Sequence, residues 1–146
     1  MIYLDSSVIF SLYCKDSNTT LATSLIRNAS EAFVLTPLCE LETLNAFSLG
    51  LFRRELLEGE VWRLRHNFDL DIEGGFYKPR PLAVGAFTRA KALAQKITPS
   101  VGVRAADLLH IAAAFEFGAK FFYTLDQKQH KAAQAEGLMV NELPKP

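Results

Sequence analysis

The chain has 146 residues, 49% hydrophobic and 22% charged, with sixteen Lys and Arg balanced by sixteen Asp and Glu. That length suits one domain burying about 68–70% of its unfolded surface, and the composition excludes disorder. The net charge of zero excludes a protein that coats nucleic acid by charge alone.

No apolar run reaches the ~18–20 residues of a membrane helix. The opening MIYLD places an acid where a secretory leader carries basic residues, so the expected location is the cytoplasm. Cys14 and Cys39 lack metal-ligand spacing and are expected as reduced packing thiols.

In chain order, Ile2 to Leu4 is a short apolar strand ending at Asp5, and SSVIFSLY then starts a helix with Ser6 or Ser7 as cap. TTLATSLIRNA spaces Leu21, Leu25 and Ile26 as a helix does, and AFVLT at 32–36 reads as a second buried strand. Thr36-Pro37 opens a third helix through LCELETLNAFSLGLF, Pro standing where its missing N–H is harmless. A further helical piece covers RRELLEGEVWRLR at 53–65.

Alternation at 68–72 suggests a short strand, and Gly74-Gly75 with the following prolines suggests a loop. Helical pattern resumes over 83–95, breaks at Thr98-Pro99-Ser100, and returns over 104–117 before Gly118. KFFYTL at 120–125 is a buried strand, followed by Asp126, the polar helix QKQHKAAQA, Gly137 and a last strand in LMVNEL.

Strands separated by helices, without hairpin turns, describe one α/β domain over residues 1–146: a mainly parallel sheet covered on both faces, an α/β/α sandwich. Ligands in such sheets bind beyond the carboxyl ends of the strands. IYL and FFYTL each end in an aspartate, so Asp5 and Asp126 are expected to project from the same sheet edge.

Each acid also has a plain structural use. Asp126, with Gln129 three residues on, fits a helix cap; Asp5 and Asp107 fit caps too. Glu42 resists that reading. Leu38, Asn45, Ala46 and Leu49 share its helix face, whereas Glu40 points to the opposite side, and no Lys or Arg occurs between Arg27 and Arg53. Asp5, Glu42, Asp107 and Asp126 thus each sit at an apolar boundary with no evident cationic side chain. A divalent cation resolves all four, and a carboxylate set without His or Cys suits Mg²⁺ or Mn²⁺ rather than zinc. His110, one turn from Asp107, is expected to support this set rather than to ligate.

MIYLDSSVI, TPLCELETLNAF and RAADLLHIAAAFEFGAKFFYTLDQKQHKAAQAEGLMV, in this order, resemble the PIN-domain family, and within it the VapC-like toxins of toxin–antitoxin pairs. The resemblance implies a Mg²⁺- or Mn²⁺-dependent ribonuclease with Asp5, Glu42, Asp107 and Asp126 as its catalytic, metal-binding pocket. Ser7 and Thr124 take the positions of hydroxyls that support the carboxylates. It also implies a homodimer and a cognate antitoxin that covers the pocket. QKQHK after Asp126 lacks the further acid many relatives carry, which weakens any second metal position.

From Gly74 through Ala106 there is no Asp or Glu, and ten of the sixteen Lys and Arg fall between Phe52 and Arg104. Arg53, Arg54, Lys78, Arg80 and Arg104 are therefore candidates to hold RNA phosphates beside a negative pocket, although a solvated basic face is the favoured reading of the charge run alone. A non-catalytic PIN-like RNA- or protein-binding module is the second reading, and a phosphatase or receiver-like domain the third; the latter needs a strand-end lysine this chain lacks.

Overall fold

The computed structural model describes residues 1–143. Five strands, β1 (Ile2–Leu4), β2 (Phe33–Leu35), β3 (Tyr77–Pro79), β4 (Phe121–Tyr123) and β5 (Met139–Val140), form one sheet in the order β3-β2-β1-β4-β5. Every pairing is parallel. Seven helices surround it: α1 (Ser6–Tyr13), α2 (Thr19–Arg27), α3 (Pro37–Phe52), α4 (Glu58–Glu73), α5 (Val84–Val101), α6 (Ala105–Glu116) and α7 (Gln127–Ala135).

Side chains alternate across a strand, and here the alternation separates two cores. Ile2 and Leu4 pack with Leu35, Tyr77 and the inner faces of α1 to α4. Tyr3, Val34 and Phe122 pack on the other side with α5, α6 and α7. Tyr3 and Phe122 lie nearly parallel, with ring centroids 5.4 Å apart. The single core implied by length is thus divided by the sheet into two layers of apolar contact, giving the expected α/β/α sandwich.

Local chemistry explains most element ends. Thr36 caps α3, its hydroxyl accepting from the Cys39 N–H at 3.2 Å with Pro37 in the first turn, as expected. The cap of α1 is Asp5 rather than Ser6 or Ser7: Asp5 remains extended and accepts from the Ser7 N–H, whereas Ser6 is already helical. Both cysteines are free, and the buried Cys39 thiol donates to the Leu4 carbonyl.

Three expectations fail along residues 53–101. The helix expected over 53–65 begins only at Glu58, because Arg54 adopts a left-handed φ of 61° that ends the preceding helix. The strand expected at 68–72 is the last part of α4. Val61, Leu64 and Phe68 form a helical stripe toward the core while Leu70 lies half exposed, so the alternation at 68–72 carried no strand. The third strand is instead Tyr77–Pro79, at the sheet edge where proline is tolerated.

The break expected at Thr98-Pro99-Ser100 is absent. α5 continues through Pro99 to Val101, with the buried Leu93 and Ile97 holding it on the core, and closes at the left-handed Gly102 through an N–H bond to the Thr98 carbonyl. The terminal strand is shorter than LMVNEL, covering Met139–Val140 only. An interior proline costs a helix about 3 kcal/mol, and its restriction of the unfolded chain returns about 0.4–1 kcal/mol. Pro99→Ala should therefore stabilise the protein by about 2 kcal/mol, read as a higher urea midpoint at unchanged m-value.

Candidate metal centre

In the order β3-β2-β1-β4-β5 the chain reverses its direction of growth between β1 and β4, so the crevice beyond their carboxyl ends is where this architecture places a ligand. Leu4 is level with Tyr123, and the next residues, Asp5 and Thr124, meet there. One carboxylate oxygen of Asp5, Oδ2, accepts from the Ser7 N–H at 3.1 Å, the Ser7 hydroxyl at 2.5 Å and the Thr124 hydroxyl at 3.2 Å. Ser7 Oγ in turn accepts from the Leu125 N–H, and Thr124 Oγ1 from the Asp126 N–H. Oδ2 is fully engaged, and Oδ1 faces His110 Nε2 at 3.7 Å. Ser7 and Thr124 thus both donate to Asp5.

Thr124 has one proton and two acceptors, Asp5 Oδ2 and Gln129 Oε1, the latter at 2.6 Å, while the buried Gln129 Nε2 has no partner among the described residues. Turning the Gln129 amide resolves the conflict: Nε2 then donates to Thr124, whose proton goes wholly to Asp5. Gln129 was legible only as a cap partner of Asp126.

Glu42 Oε2 accepts from the Ser6 hydroxyl at 2.8 Å and pairs with His110 Nε2 at 2.7 Å. The other ring nitrogen, Nδ1, lies 2.8 Å from the Tyr3 hydroxyl, which reaches Thr36 Oγ1 at 3.1 Å. Burial alone pushes the His110 ring toward neutrality, but the Glu42 hydrogen bond and the charges of Asp5, Glu42 and Asp107 outweigh it and raise its pKa. Burial likewise opposes ionisation of Glu42, and the bond and charge of His110, the Ser6 hydroxyl and the charge of Arg104 together outweigh it, lowering the carboxyl.

Asp107 is buried in the first turn of α6, third after the Arg104 cap, and accepts from the Arg104 N–H. Its two oxygens take Arg104 Nε at 3.0 Å and Nη2 at 3.3 Å. Asp126 caps α7 with Oδ1, accepting from Lys128 N–H and Gln129 N–H, and leaves Oδ2 3.7 Å from Arg104 Nη2. Three of the four acids therefore do have cationic partners, contrary to the sequence reading: Arg104 for Asp107 and Asp126, His110 for Glu42. Arg104 lay outside that search because it precedes Asp107 on the helix approach, not in the 27–53 interval.

All four acids line one open cavity of about 500 Å³. Asn45, Ala46 and Leu49 line it beside Glu42, as the helix phase requires, whereas Leu38 and Glu40 do not. Asp16, from the α1–α2 turn, adds a fifth carboxylate that no periodicity announced, and Ser6 is a further missed contributor. Of the five basic candidates only Arg104 lines the cavity; Arg53, Arg54, Lys78 and Arg80 are exposed elsewhere. The acid-free stretch is not acid-free in space, since Arg89 pairs with Glu116 and Lys96 with Glu136.

Asp5, Glu42 and His110 each offer a ligand atom, all within 4.8 Å of one another. Hard oxygen donors beside one imidazole fit a divalent cation, so the residues present suit such an ion. Both His110 nitrogens have partners, Nε2 on Glu42 and Nδ1 on Tyr3.

The sequence profile of the PIN domain matches residues 2–135. The chain belongs to the PIN domain family. Among solved structures, the PIN domain here is similar to VapC20 of Mycobacterium tuberculosis, a sarcin–ricin loop cleaving toxin, at TM-score 0.71 and 14% identity over 95% of this chain and 97% of that one. It is also similar to FitAcB from Neisseria gonorrhoeae, TM-score 0.67 and 19% identity over 97% of each chain. A third is VapBC2 from Rickettsia felis, bound to a DNA fragment from their promoter, TM-score 0.67 and 16% identity over 99% of this chain and all of that one. No curated protein matches by sequence. Among the described residues no helix is long and apolar enough to cross a membrane.

In chelator, the lowered Glu42 carboxyl contributes stability present above its ordinary value of 4.5 and lost as pH falls through its folded value. The raised His110 ring contributes stability present below 6.5 and lost as pH rises through its folded value. Thermal melts should therefore show this pair stabilising most between those two values, with His110→Asn removing the alkaline decline.

Proposed function

We propose that this PIN domain is a divalent-metal-dependent endoribonuclease, the toxin of a toxin–antitoxin pair, with Asp5, Glu42, Asp107 and Asp126 as its catalytic acids and Mg²⁺ or Mn²⁺ as cofactor. The observation that carries the reading is Asp5 at the β1–β4 crevice, with Oδ2 engaged by three donors and Oδ1 turned to the Glu42–His110 side.

Ser7 and Thr124 fix Asp5, and Ser6 and His110 fix Glu42, so both carboxylates are aimed without substrate. A divalent ion held there supplies acidity to an attacking water and positive charge to the phosphate oxygens. Asp107 and Asp126 close the far side of the cavity. Arg104, with its side chain 77% exposed, receives RNA phosphate at the mouth, and Arg53, Arg54, Lys78 and Arg80 contact the strand farther out.

That VapC20 cleaves the sarcin–ricin loop makes structured RNA loops the first substrates to try. An antitoxin and a second copy of the chain are the proposed partners. Exposed Leu41, Phe52, Leu57 and Trp62 on and between α3 and α4 offer one apolar surface, and the groove of Leu38, Phe87 and Leu109 another.

Purified protein, freed of any copurifying partner, should cleave RNA with Mn²⁺ or Mg²⁺ and stop in EDTA. Glu42→Gln should reduce the rate more than the ~10–100-fold typical of a residue supporting a metal ligand, Thr124→Val should fall within that range, and Glu40→Gln should stay near wild type. RNA retained without cleavage under every divalent ion favours the binding-module reading; equal loss from Glu40→Gln and Glu42→Gln contradicts the placement of Glu42.

A further inference from the structure

The acids of the cavity fall into two unlike groups. Asp5 and Glu42 converge with His110, their ligand atoms within 4.8 Å. Asp107 and Asp126 converge instead on a side chain that is already a cation. Arg104 sets Nε and Nη2 against the two oxygens of Asp107, a forked pair, and Nη2 also lies 3.7 Å from Asp126 Oδ2. The same residue caps α6 and gives its backbone N–H to Asp107 Oδ2, so guanidinium and carboxylate are held together over three residues of chain.

A second divalent ion at that end would have to displace this pair. The chain offers little to help it: after Asp126 the next acid is Glu136, at the far end of α7, and Asp126 Oδ1 is committed to two backbone N–H groups.

We propose that Arg104 is the second cation of this site: the protein binds one divalent ion, at the Asp5–Glu42 end, and the guanidinium holds the Asp107–Asp126 end where another ion would otherwise sit. The inference rests on the metal-dependent reading above but does not need turnover to be tested. A forked guanidinium matches two carboxylate oxygens in a plane, which an ammonium cannot do, so charge and geometry are separable by substitution.

The test is an ion count on the full chain, stripped with EDTA and titrated with Mn²⁺ alone by calorimetry, with electron paramagnetic resonance reading whether bound ions are isolated or paired. Wild type should bind one Mn²⁺ with the six-line signal of an isolated ion. Arg104→Gln should bind two, the isolated-ion signal losing intensity as the pair forms. Arg104→Lys, which keeps the charge and loses the fork, should remain at one. Because Arg104 is largely exposed, both variants should keep the wild-type circular dichroism spectrum. Two ions in wild type, or one ion in Arg104→Gln, overturns the proposal while leaving the metal-dependent reading intact. No Mn²⁺ bound by wild type at millimolar concentration overturns both.

Discussion

A buried carboxylate without direct contact to a cation needs hydrogen bonds in place of its lost water. Asp5 finds three donors on a single oxygen, two of them the Ser7 N–H and hydroxyl close by in the chain and the third Thr124, which the pairing of β1 with β4 brings to it. Ser7 is on the helix leaving β1, Thr124 follows β4, and Gln129 on the next helix fixes Thr124 from behind. If β1 and β4 were not neighbours, Asp5 would lose the Thr124 donor, and Ser7 Oγ would lose the Leu125 N–H that orients it. The adjacency of these two strands is thus a requirement of the acid, and the position of the cavity follows from it.

The second acid is anchored differently. Glu42 reaches the same point from the middle of α3, steadied by Ser6 and by His110, whose far nitrogen meets Tyr3 inside the opposite core layer. Tyr3 is stacked on Phe122 and bonded to the cap residue of α3. A contiguous set of contacts therefore joins the packing of one face of the sheet to the aim of a carboxylate at its edge. Loosening the Tyr3–Phe122 stack disturbs Glu42 without touching it.

The sequence made the architecture legible because β1, β2 and β4 are unbroken apolar triplets and because the helices between them are long enough to show a stripe. Strand ends put Asp5 and Asp126 on one sheet edge and helix phase turned Glu42 inward, while Asp107 joined them through the PIN resemblance; all four line one cavity. What the sequence hid was tertiary. Phe68, Leu70 and Ile72 alternate like a strand, yet only the i, i+4 pair faces inward, and the helix wins because Val61 and Leu64 extend that stripe. Pro99 looked like a terminator, but it falls where Leu93 and Ile97 already hold the helix in place. Arg104 reads in the sequence as a phosphate contact beside the pocket, since nothing in its local pattern says that it folds back onto acids three and twenty-two positions later. The acid-free stretch misled in the same way: Glu116 and Glu136 come from distant segments to meet it.

Caps and site residues are, in this fold, the same residues. Asp5 stands at the start of α1, Asp126 at the start of α7, and Asp107 in the first turn of α6. Three helices therefore aim their N-termini at one cavity, and each such end carries roughly half a positive elementary charge from its aligned peptide dipoles. Together they amount to about one and a half positive charges built from backbone alone, set against the cavity's acids. The field at the cavity mouth is correspondingly less repulsive to an anion than a count of side chains suggests. No side-chain substitution that preserves the helices removes that contribution.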